Sequence, residues 1–453
     1  MQSANYHEFA DQIVAEIRAG KLRPGDKLPP QRDFAHSRGI AVSTAQRVYA
    51  ELSRRGVVSG EVGRGTFVRL AGPAGRMTPA LAEPTSLRID LDLNFPTVPE
   101  QEALLSASLA ELMRRDEEWR PAFVPAGARG TRLLRSTTAT FLSSSPGRWA
   151  LPADRLLFAG NGKQAIAAAL AATVRRGEVL GVEALTYPFI KTIAQQLGIR
   201  LVPLTLDDEG IVPAALLEAH EDVGLGAIYL QGTLHNPLGL TMTSARSAEI
   251  AEILRTKGIL AIEDTTYAFL DPHAASLQWL AADEVIRVDS LSKRLSPGLT
   301  LGFIVAPQRL VEDISRALHT GAWIPSSFAQ TVCARWMADG TAARIVDAKR
   351  IDAAARQQLA RQWLGRFGLL GNDHAYHCWL PLPDSWRADT FVAAAARHNI
   401  AVTPASAFAV APGHIPNAVR VALSAPPVEI LCEALEKLAS ILDGGCDAPP
   451  PFE

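Results

Sequence analysis

The chain has 453 residues, of which 48% are hydrophobic and 20% are charged, and its formal net charge is −2. This length is too great for one ordinary domain, and the composition is that of a soluble globular protein. No apolar run is long enough to span a bilayer, and the charge balance argues against nucleic-acid binding by the chain as a whole.

The first seventy residues have the pattern of a small head made of helices and a hairpin. Apolar residues recur at helical spacing over residues 7–19. A second helix is predicted to open after Pro29 and Pro30 and to end at Gly39, and a third is predicted over residues 43–52. Two short strands around a glycine turn follow over residues 57–68. Three helices and a hairpin wing predict a winged helix-turn-helix domain over residues 1–70, a fold that reads DNA.

Charge is distributed unevenly along the chain. Residues 1–70 contain eleven Lys and Arg against seven Asp and Glu, so the remainder of the chain is acidic. A mildly basic head on an acidic body fits DNA contact through the head alone. A segment this short often carries a few extra charges by chance, so the charge difference by itself is weak evidence.

A different pattern begins after the head. Residues 71–88 contain glycines and prolines without an apolar period, which predicts a linker. Beyond residue 89, strand-like runs alternate with alanine-rich helical runs, which predicts a mainly parallel sheet with helices on both faces. We expect this body to span residues 89–440, with a small C-terminal α+β subdomain over residues 350–440 and a tail over residues 441–453.

The cysteines and the N-terminal residues bear on the compartment. Cys333, Cys378, Cys432 and Cys446 form no paired spacing that would suit a metal or a disulfide framework. The N-terminal residues show no basic start followed by an apolar run, so we expect no signal peptide. We therefore expect a cytoplasmic protein with reduced thiols and no metal.

A lysine, an aspartate and a tyrosine follow the ends of two strand-like runs. Asp264 and Tyr267 come after the run 259–262, and Lys293 follows the run 285–288. Because the carboxyl ends of parallel strands lie at one edge of a sheet, we expect these side chains in one layer. Such a set suits pyridoxal phosphate, since the lysine amine forms a Schiff base with the aldehyde and the aspartate keeps the pyridine nitrogen protonated.

The head resembles the GntR family of winged-helix regulators. Three motifs in order carry the resemblance, over residues 20–32, 39–44 and 63–68. Val42 departs from the pattern, because relatives often carry arginine there, and any one of the arginines alone could equally be a solvated surface residue. The resemblance implies that the following residues approach DNA: Arg32, Ser43, Thr44, Arg47, Arg64 and Gly65.

The body resembles the fold-type-I aminotransferases, as found in the MocR subfamily of GntR regulators. This resemblance covers residues 89–440 and implies a fold-type-I transferase-like domain that binds pyridoxal phosphate. A lone lysine after a strand is usually at the surface, so the site depends on the whole set being present. The resemblance implies these cofactor-binding residues: Gly162, Lys163, Gln164, Tyr187, Asn236, Asp264, Tyr267, Ser290, Ser292, Lys293 and Arg294.

The resemblance also implies a role for each of these residues. The backbone amides from Gly162 onward would hold the phosphate at a helix N-terminus. Tyr187 would stack on the pyridine ring, while Asn236 and Tyr267 would donate to the ring hydroxyl. Arg420 matches the arginine that grips an amino acid carboxylate, although an arginine on such a strand could equally form a surface ion pair.

Two positions depart from the aminotransferase pattern. Thr300 stands where relatives carry an arginine that binds the phosphate, and we expect Arg294, which is offset in sequence, to compensate in part. Phe123 stands where many relatives have a tyrosine that reaches the phosphate in the partner subunit. Domains of this kind resemble obligate dimers, so we expect a homodimer.

The two resemblances together predict a transcriptional regulator that senses an amine, an amino acid or pyridoxal phosphate itself. An aminotransferase with a vestigial head remains an alternative, because sensing and transamination would use the same site residues. A DNA-binding protein whose large domain serves only to dimerise is disfavoured by the complete set of cofactor residues.

Overall fold

The structure is a computed structural model, and the residues that it describes fall into blocks separated by short gaps. These blocks are residues 6–18, 21–22, 26–54, 57–61, 65–68, 89–143, 151–271, 273, 276–298, 300–411 and 415–444. The expected linker therefore lies outside the described residues.

The head consists of three helices and a two-stranded antiparallel hairpin, which confirms the predicted winged helix-turn-helix. Gly39 ends the second helix in the left-handed region, with φ of 61°, and so turns the chain into the third helix. Apolar residues on the inner faces, among them Ile13, Phe34 and Val48, are buried in one core. The elements are Tyr6–Arg18, Gln31–Arg38, Val42–Arg54, Val58–Glu61 and Gly65–Val68.

The body is built on a seven-stranded sheet. All neighbouring strands are parallel except Gly302–Val305, which is antiparallel to both of its neighbours. The predicted mainly parallel sheet is thus confirmed. In sheet order the strands are Leu156–Ala159, Gly302–Val305, Val285–Ser290, Leu260–Asp264, Leu225–Leu230, Val179–Glu183 and Arg200–Leu204.

Both faces of this sheet are covered, and alternate residues of a strand enter different cores. Leu157 packs with one helix layer, whereas Phe158 packs with a second layer on the opposite face. The helices from residue 101 to residue 338 are Gln101–Met113, Asp116–Trp119, Arg132–Ser143, Gly162–Thr173, Pro188–Leu197, Pro213–Val223, Ser244–Lys257, Leu277–Leu280, Leu291–Arg294, Val311–Thr320 and Ser327–Ala338. Short 3-10 turns occur at Arg120–Phe123, Ala153–Arg155, Gln308–Leu310, Gly365–Phe367 and Ala405–Ala407.

A smaller α+β unit completes the body. Its four-stranded sheet has the order Leu370–Gly371, His377–Pro381, Ala418–Ala422 and Thr403–Pro404. Its helices are Thr341–Leu364, Ala388–Arg397 and Val428–Gly444, so the last helix extends four residues beyond residue 440. Two further strand pairs are Ile89–Asp90 with Ile400–Ala401 and Leu206–Asp207 with Gly210–Ile211. Within the described blocks, no helix combines the length and the hydropathy that a membrane crossing requires.

Candidate cofactor and effector site

The carboxyl-terminal edge of the large sheet brings the predicted cofactor residues together. Asp264 is the last residue of its strand, and Ser290 is the last residue of the adjacent parallel strand. The chain then enters the short helix Leu291–Arg294, which carries Lys293. The sheet topology thus places the aspartate and the lysine on neighbouring strand ends, as the sequence predicts.

Lys293 has the electrostatic environment of a reactive amine. Burial lowers its pKa to about 7, and the positive charges of Arg420, Lys163 and Lys349 act in the same direction. Its Nζ atom donates to the backbone carbonyl of Asn94. About half of such amines are neutral near pH 7, and the neutral form is the nucleophile toward a carbonyl group.

A second lysine fixes the backbone around Lys293. The Nζ atom of Lys349 donates to the carbonyl oxygens of Lys293 at 2.9 Å and of Leu295 at 2.8 Å. Lys349 is fully buried on the helix Thr341–Leu364, and burial lowers its pKa to about 7. This contact ties the small helix bearing Lys293 to the long helix that leads into the smaller unit.

Asp264 is buried and is held by three donors. Its carboxylate accepts hydrogen bonds from Tyr229 Oη at 2.8 Å, Gln231 Nε2 at 3.1 Å and the backbone N–H of Thr266 at 3.0 Å. Burial raises the pKa of Asp264, while these hydrogen bonds favour its charged form. An oriented carboxylate of this kind fits the protonated nitrogen of a pyridine ring.

The helix Gly162–Thr173 begins next to the strand end that carries Ser290. A Cβ atom at Gly162 would lie 3.3 Å from Ser290 Cβ and 3.9 Å from Thr266 Oγ1, so the helix start packs closely against these two residues. Asn161 caps the helix by accepting from Gln164 N at 2.9 Å.

Hydroxyl groups line the approach to this helix start. Ser290 Oγ donates to Ser292 Oγ at 2.9 Å and accepts from Ser292 N at 3.0 Å. Together with the free N–H groups of the helix start, they form a surface that suits a phosphate. The residues present therefore fit pyridoxal phosphate at both the ring and the phosphate.

Arg420 is linked to the predicted ring residues through Asn236. Its Nη1 atom donates to Asn236 Oδ1 at 2.9 Å, and its Nη2 atom donates to Thr403 Oγ1 at 2.9 Å. Within the described part of the chain, its buried Nε atom has no hydrogen-bond acceptor. The guanidinium thus keeps unused donor capacity in a buried position, which fits a carboxylate ligand.

Gln231 connects the ring side of the site to the arginine side. Besides donating to Asp264, it accepts from Asn236 N at 3.2 Å through Oε1. Tyr187 and Tyr267 lie near this chain of contacts, and burial raises the pKa of both phenols. Both phenols therefore stay neutral at physiological pH.

A segment that the sequence analysis did not select also borders the site. We call residues 92–95 the strap. The carbonyl of Asn94 accepts from Lys293, and the carbonyl of Asp92 accepts from Arg420. The strap thus contacts both groups that the sequence assigns to ligand binding. It carries no motif, and only its place shortly after the expected linker and the strand Ile89–Asp90 could have drawn attention to it.

The sequence analysis also missed Tyr229, Gln231 and Lys349, for which the sequence carries signals of different strength. Tyr229 and Gln231 lie at the end of a buried strand next to that of Asp264, so strand-end reading could have found them. Lys349 lies in the middle of a long helix, and no local pattern marks it.

Arg294 and Phe123 lie in environments that bear on their predicted roles. The guanidinium of Arg294 is buried and donates to Asp289 through Nε at 3.2 Å and through Nη2 at 2.5 Å. The contribution of Arg294 to phosphate binding stays a prediction.

Phe123 stands where many relatives have a tyrosine. Its side chain is 73% exposed and packs edge-on against Trp119, with ring centroids 5.4 Å apart.

The predicted DNA-contacting residues lie mostly on the surface of the head. Arg32, Ser43 and Arg47 are exposed, and the last two are one helical turn apart on the third helix. Gly65 has a φ of 114°, a backbone conformation that favours glycine, so the start of the second hairpin strand is suited to this residue. Thr44 is half-buried at the start of the third helix, and Arg64 lies outside the described residues.

Comparison with known proteins agrees with this two-part architecture. Residues 88–438 match the family model "Aminotransferase class I and II", and residues 5–68 match "Bacterial regulatory proteins, gntR family". An uncharacterized HTH-type transcriptional regulator of Bacillus subtilis, YdeF, is 30% identical over 97% of this chain and 94% of its own length. The probable rhizopine catabolism regulatory protein MocR of Rhizobium meliloti is 25% identical over 78% of this chain and 76% of its own.

Solved structures show the same fold for the body. An archaeal alanine:glyoxylate aminotransferase has a TM-score of 0.72 at 20% identity, covering 79% of this chain and 91% of that protein. The α-aminoadipate aminotransferase LysN of Thermus thermophilus has a TM-score of 0.71 at 20% identity, covering 79% of this chain and 93% of its own.

The chain therefore belongs to the aminotransferase class I and II family and is a GntR-type regulator in which that domain is fused to a DNA-binding head. Aminotransferases of this family depend on pyridoxal phosphate, and the residues on this chain fit that cofactor.

Proposed function

We propose that this regulator binds pyridoxal phosphate covalently at Lys293, senses an amine or amino acid there, and changes its contacts with operator DNA in response. The observation that carries the proposal is the convergence of Lys293, Asp264 and Arg420 on one connected site beside the strap. Two relatives that match most of this chain are named as an HTH-type transcriptional regulator and a regulatory protein.

Each residue of the site has a distinct task in this proposal. When bound, the cofactor supplies an aldehyde that can exchange one amine for another. Lys293 provides the resident amine, and its pKa of about 7 leaves a large neutral fraction at physiological pH. Asp264 holds the ring nitrogen, and Tyr187 provides the ring surface beside it. Asn236 and Tyr267 donate to the ring hydroxyl.

Arg420 supports a preference for ligands that carry a carboxylate as well as an amine. It is a buried cation whose hydrogen bonds run to Asn236, Thr403 and the strap, so its position is fixed before a ligand arrives. A carboxylate would pair with the guanidinium, whereas a simple amine would leave that interaction unused. We therefore expect an amino acid to be the stronger effector.

The strap provides the proposed route from ligand to head. The strap carbonyls of Asn94 and Asp92 accept hydrogen bonds from Lys293 and Arg420. A ligand that engages these two side chains therefore competes with the strap for them. The strap begins two residues after the strand Ile89–Asp90, and the expected linker to the head precedes that strand. If each position of the strap goes with a different arrangement of the heads, a ligand that binds one of these conformations more tightly would shift the equilibrium between them.

We propose a homodimer in the cytoplasm as the working form. Exposed apolar side chains on one part of the body support a protein partner, because large exposed hydrophobic groups mark association surfaces. They include Phe123, Val124 and Phe328, exposed by 73%, 55% and 41%. A dimer carries two heads, which implies two half-sites on DNA.

The test is a gel-shift or footprint on the DNA that flanks the protein's own gene. It is made without ligand, with pyridoxal phosphate, and with pyridoxal phosphate plus a panel of amino acids and their decarboxylated amines. Specific binding that changes with the amino acid supports the proposal. Sustained turnover of an amino acid with a 2-oxo acid, without preference for any DNA, would establish an aminotransferase instead.

A further inference from the structure

We propose that Lys163 supplies the positive charge that holds the cofactor phosphate, in place of the arginine that relatives carry where Thr300 stands. The inference rests on the proposed binding of pyridoxal phosphate. It assigns to the Lys163 side chain the positive charge that backbone amides do not supply. A phosphate dianion that leaves water needs charged or multiple donors, so the loss of an arginine must be compensated.

The first argument is position. Lys163 is the second residue of the helix Gly162–Thr173, whose start lies against Ser290 and Thr266. An anion at a helix start is met by the free N–H groups and the positive end of the helix dipole. A lysine within the first turn adds a full charge to that same end.

The second argument is that Lys163 is available. Its side chain is exposed, and its Nζ atom lies 3.3 Å from the centroid of the Phe189 ring. Among the ion pairs formed by described residues, none involves Lys163. Its charge is also among those that lower the pKa of Lys293, so it lies within electrostatic range of that amine.

The third argument is that Arg294 is already engaged. Asp289 accepts from both Nε and Nη2 of Arg294, and the guanidinium lies 5.0 Å from the centroid of the Phe269 ring. Turning Arg294 toward a phosphate would leave a buried carboxylate without this partner, which is strongly unfavourable. Among the described residues, Lys163 has no ion pair to give up, and the contact it would leave is the one with the Phe189 ring.

The experiment compares pyridoxal phosphate with pyridoxal, which has the same ring and aldehyde but no phosphate. Dissociation constants are measured by absorbance titration for the wild type, Lys163→Met, Lys163→Arg, and the double variant Lys163→Met with Thr300→Arg. Methionine keeps much of the volume and removes the charge. Arginine at position 163 keeps the charge, and arginine at position 300 restores the family pattern.

We expect Lys163→Met to weaken pyridoxal phosphate binding by roughly 10- to 100-fold and pyridoxal binding much less, because pyridoxal loses only the effect of the Lys163 charge on the pKa of Lys293. Lys163→Arg should bind like the wild type, and Thr300→Arg should rescue the methionine variant. Equal losses for both ligands, or no loss for either, would overturn the assignment while leaving the cofactor proposal intact. A wild type that binds neither ligand would overturn both proposals.

Discussion

The head and the body place their predicted functional residues in opposite environments. In the head, Arg32, Ser43 and Arg47 are exposed, because DNA is a large external surface that must be reached. In the body, Asp264 and Arg420 are buried and held by several hydrogen bonds each, an environment that suits a small enclosed ligand. The head can thus tolerate rearrangement of single side chains, whereas the body depends on a connected network.

The largest expected effect lies in the body and should leave the head untouched. Lys293→Ala removes the amine that bonds to the cofactor, so borohydride trapping followed by peptide mapping should label Lys293 in the wild type and no peptide of the variant. DNA affinity without ligand should match the wild type, since the head contacts DNA directly. Lys437→Ala, an exposed lysine far along the chain, is the control and should keep the label. A label that survives in Lys293→Ala would refute the assignment.

The next effect tests how far the body relies on its network. Asp264→Asn keeps the shape but replaces an ionised partner of the pyridine nitrogen by a neutral one. We expect pyridoxal phosphate affinity to fall by roughly 10- to 100-fold, because hydrogen bonds to charged groups are the stronger ones. Thermal unfolding without ligand serves as the control, and a matching loss of fold would mean that the residue is structural.

Arg420 should affect one class of effector and not another. Arg420→Gln should reduce the response to amino acids by about tenfold or more, while decarboxylated amines act as they do on the wild type. The measurement is the ligand concentration that gives half of the maximal change in DNA binding in a gel shift. An equal loss for both classes would contradict a carboxylate role.

The acidity of Lys293 predicts a pH dependence for cofactor attachment. Since the pKa lies near 7, the neutral fraction rises about fivefold between pH 6 and pH 7 and levels off above pH 8. The rate at which the near-visible absorbance band appears should follow this curve. Lys349→Met should shift the curve toward higher pH, because one of the positive charges near Lys293 is removed. A rate that is flat from pH 6 to pH 8 would exclude an amine of this acidity.

The smallest effect belongs to the head. Arg32→Ala should weaken binding to all DNA sequences by a similar factor and lower the slope of affinity against salt concentration by about one. Arg47→Ala should in addition change which sequence is preferred. Equal salt slopes in Arg32→Ala and the wild type would show that this arginine does not contact phosphate.

The same contrast explains what the sequence predicted. The head consists of neighbouring elements, so its helices and wing follow from local periodicity and turn residues such as Gly39. In the body, Asp264 and Lys293 could be predicted from strand ends, because parallel topology brings such ends together. Lys349 could not, because it meets Lys293 only through a helix that comes much later in the chain. The pairing of Arg294 with Asp289 could not be predicted either. Both residues lie in one short segment, and the sequence of that segment is compatible with several orientations of the Arg294 side chain.

Through the strap, binding of operator DNA would in turn affect the ligand site. If a ligand at Lys293 and Arg420 changes DNA affinity by some factor, thermodynamic reciprocity requires DNA to change ligand affinity by that same factor. Protein bound at an operator and protein free in solution would then respond at different concentrations of one amino acid. The threshold of this sensor would be a property of the promoter on which it sits, and different promoters could be regulated at different effector levels by a single protein.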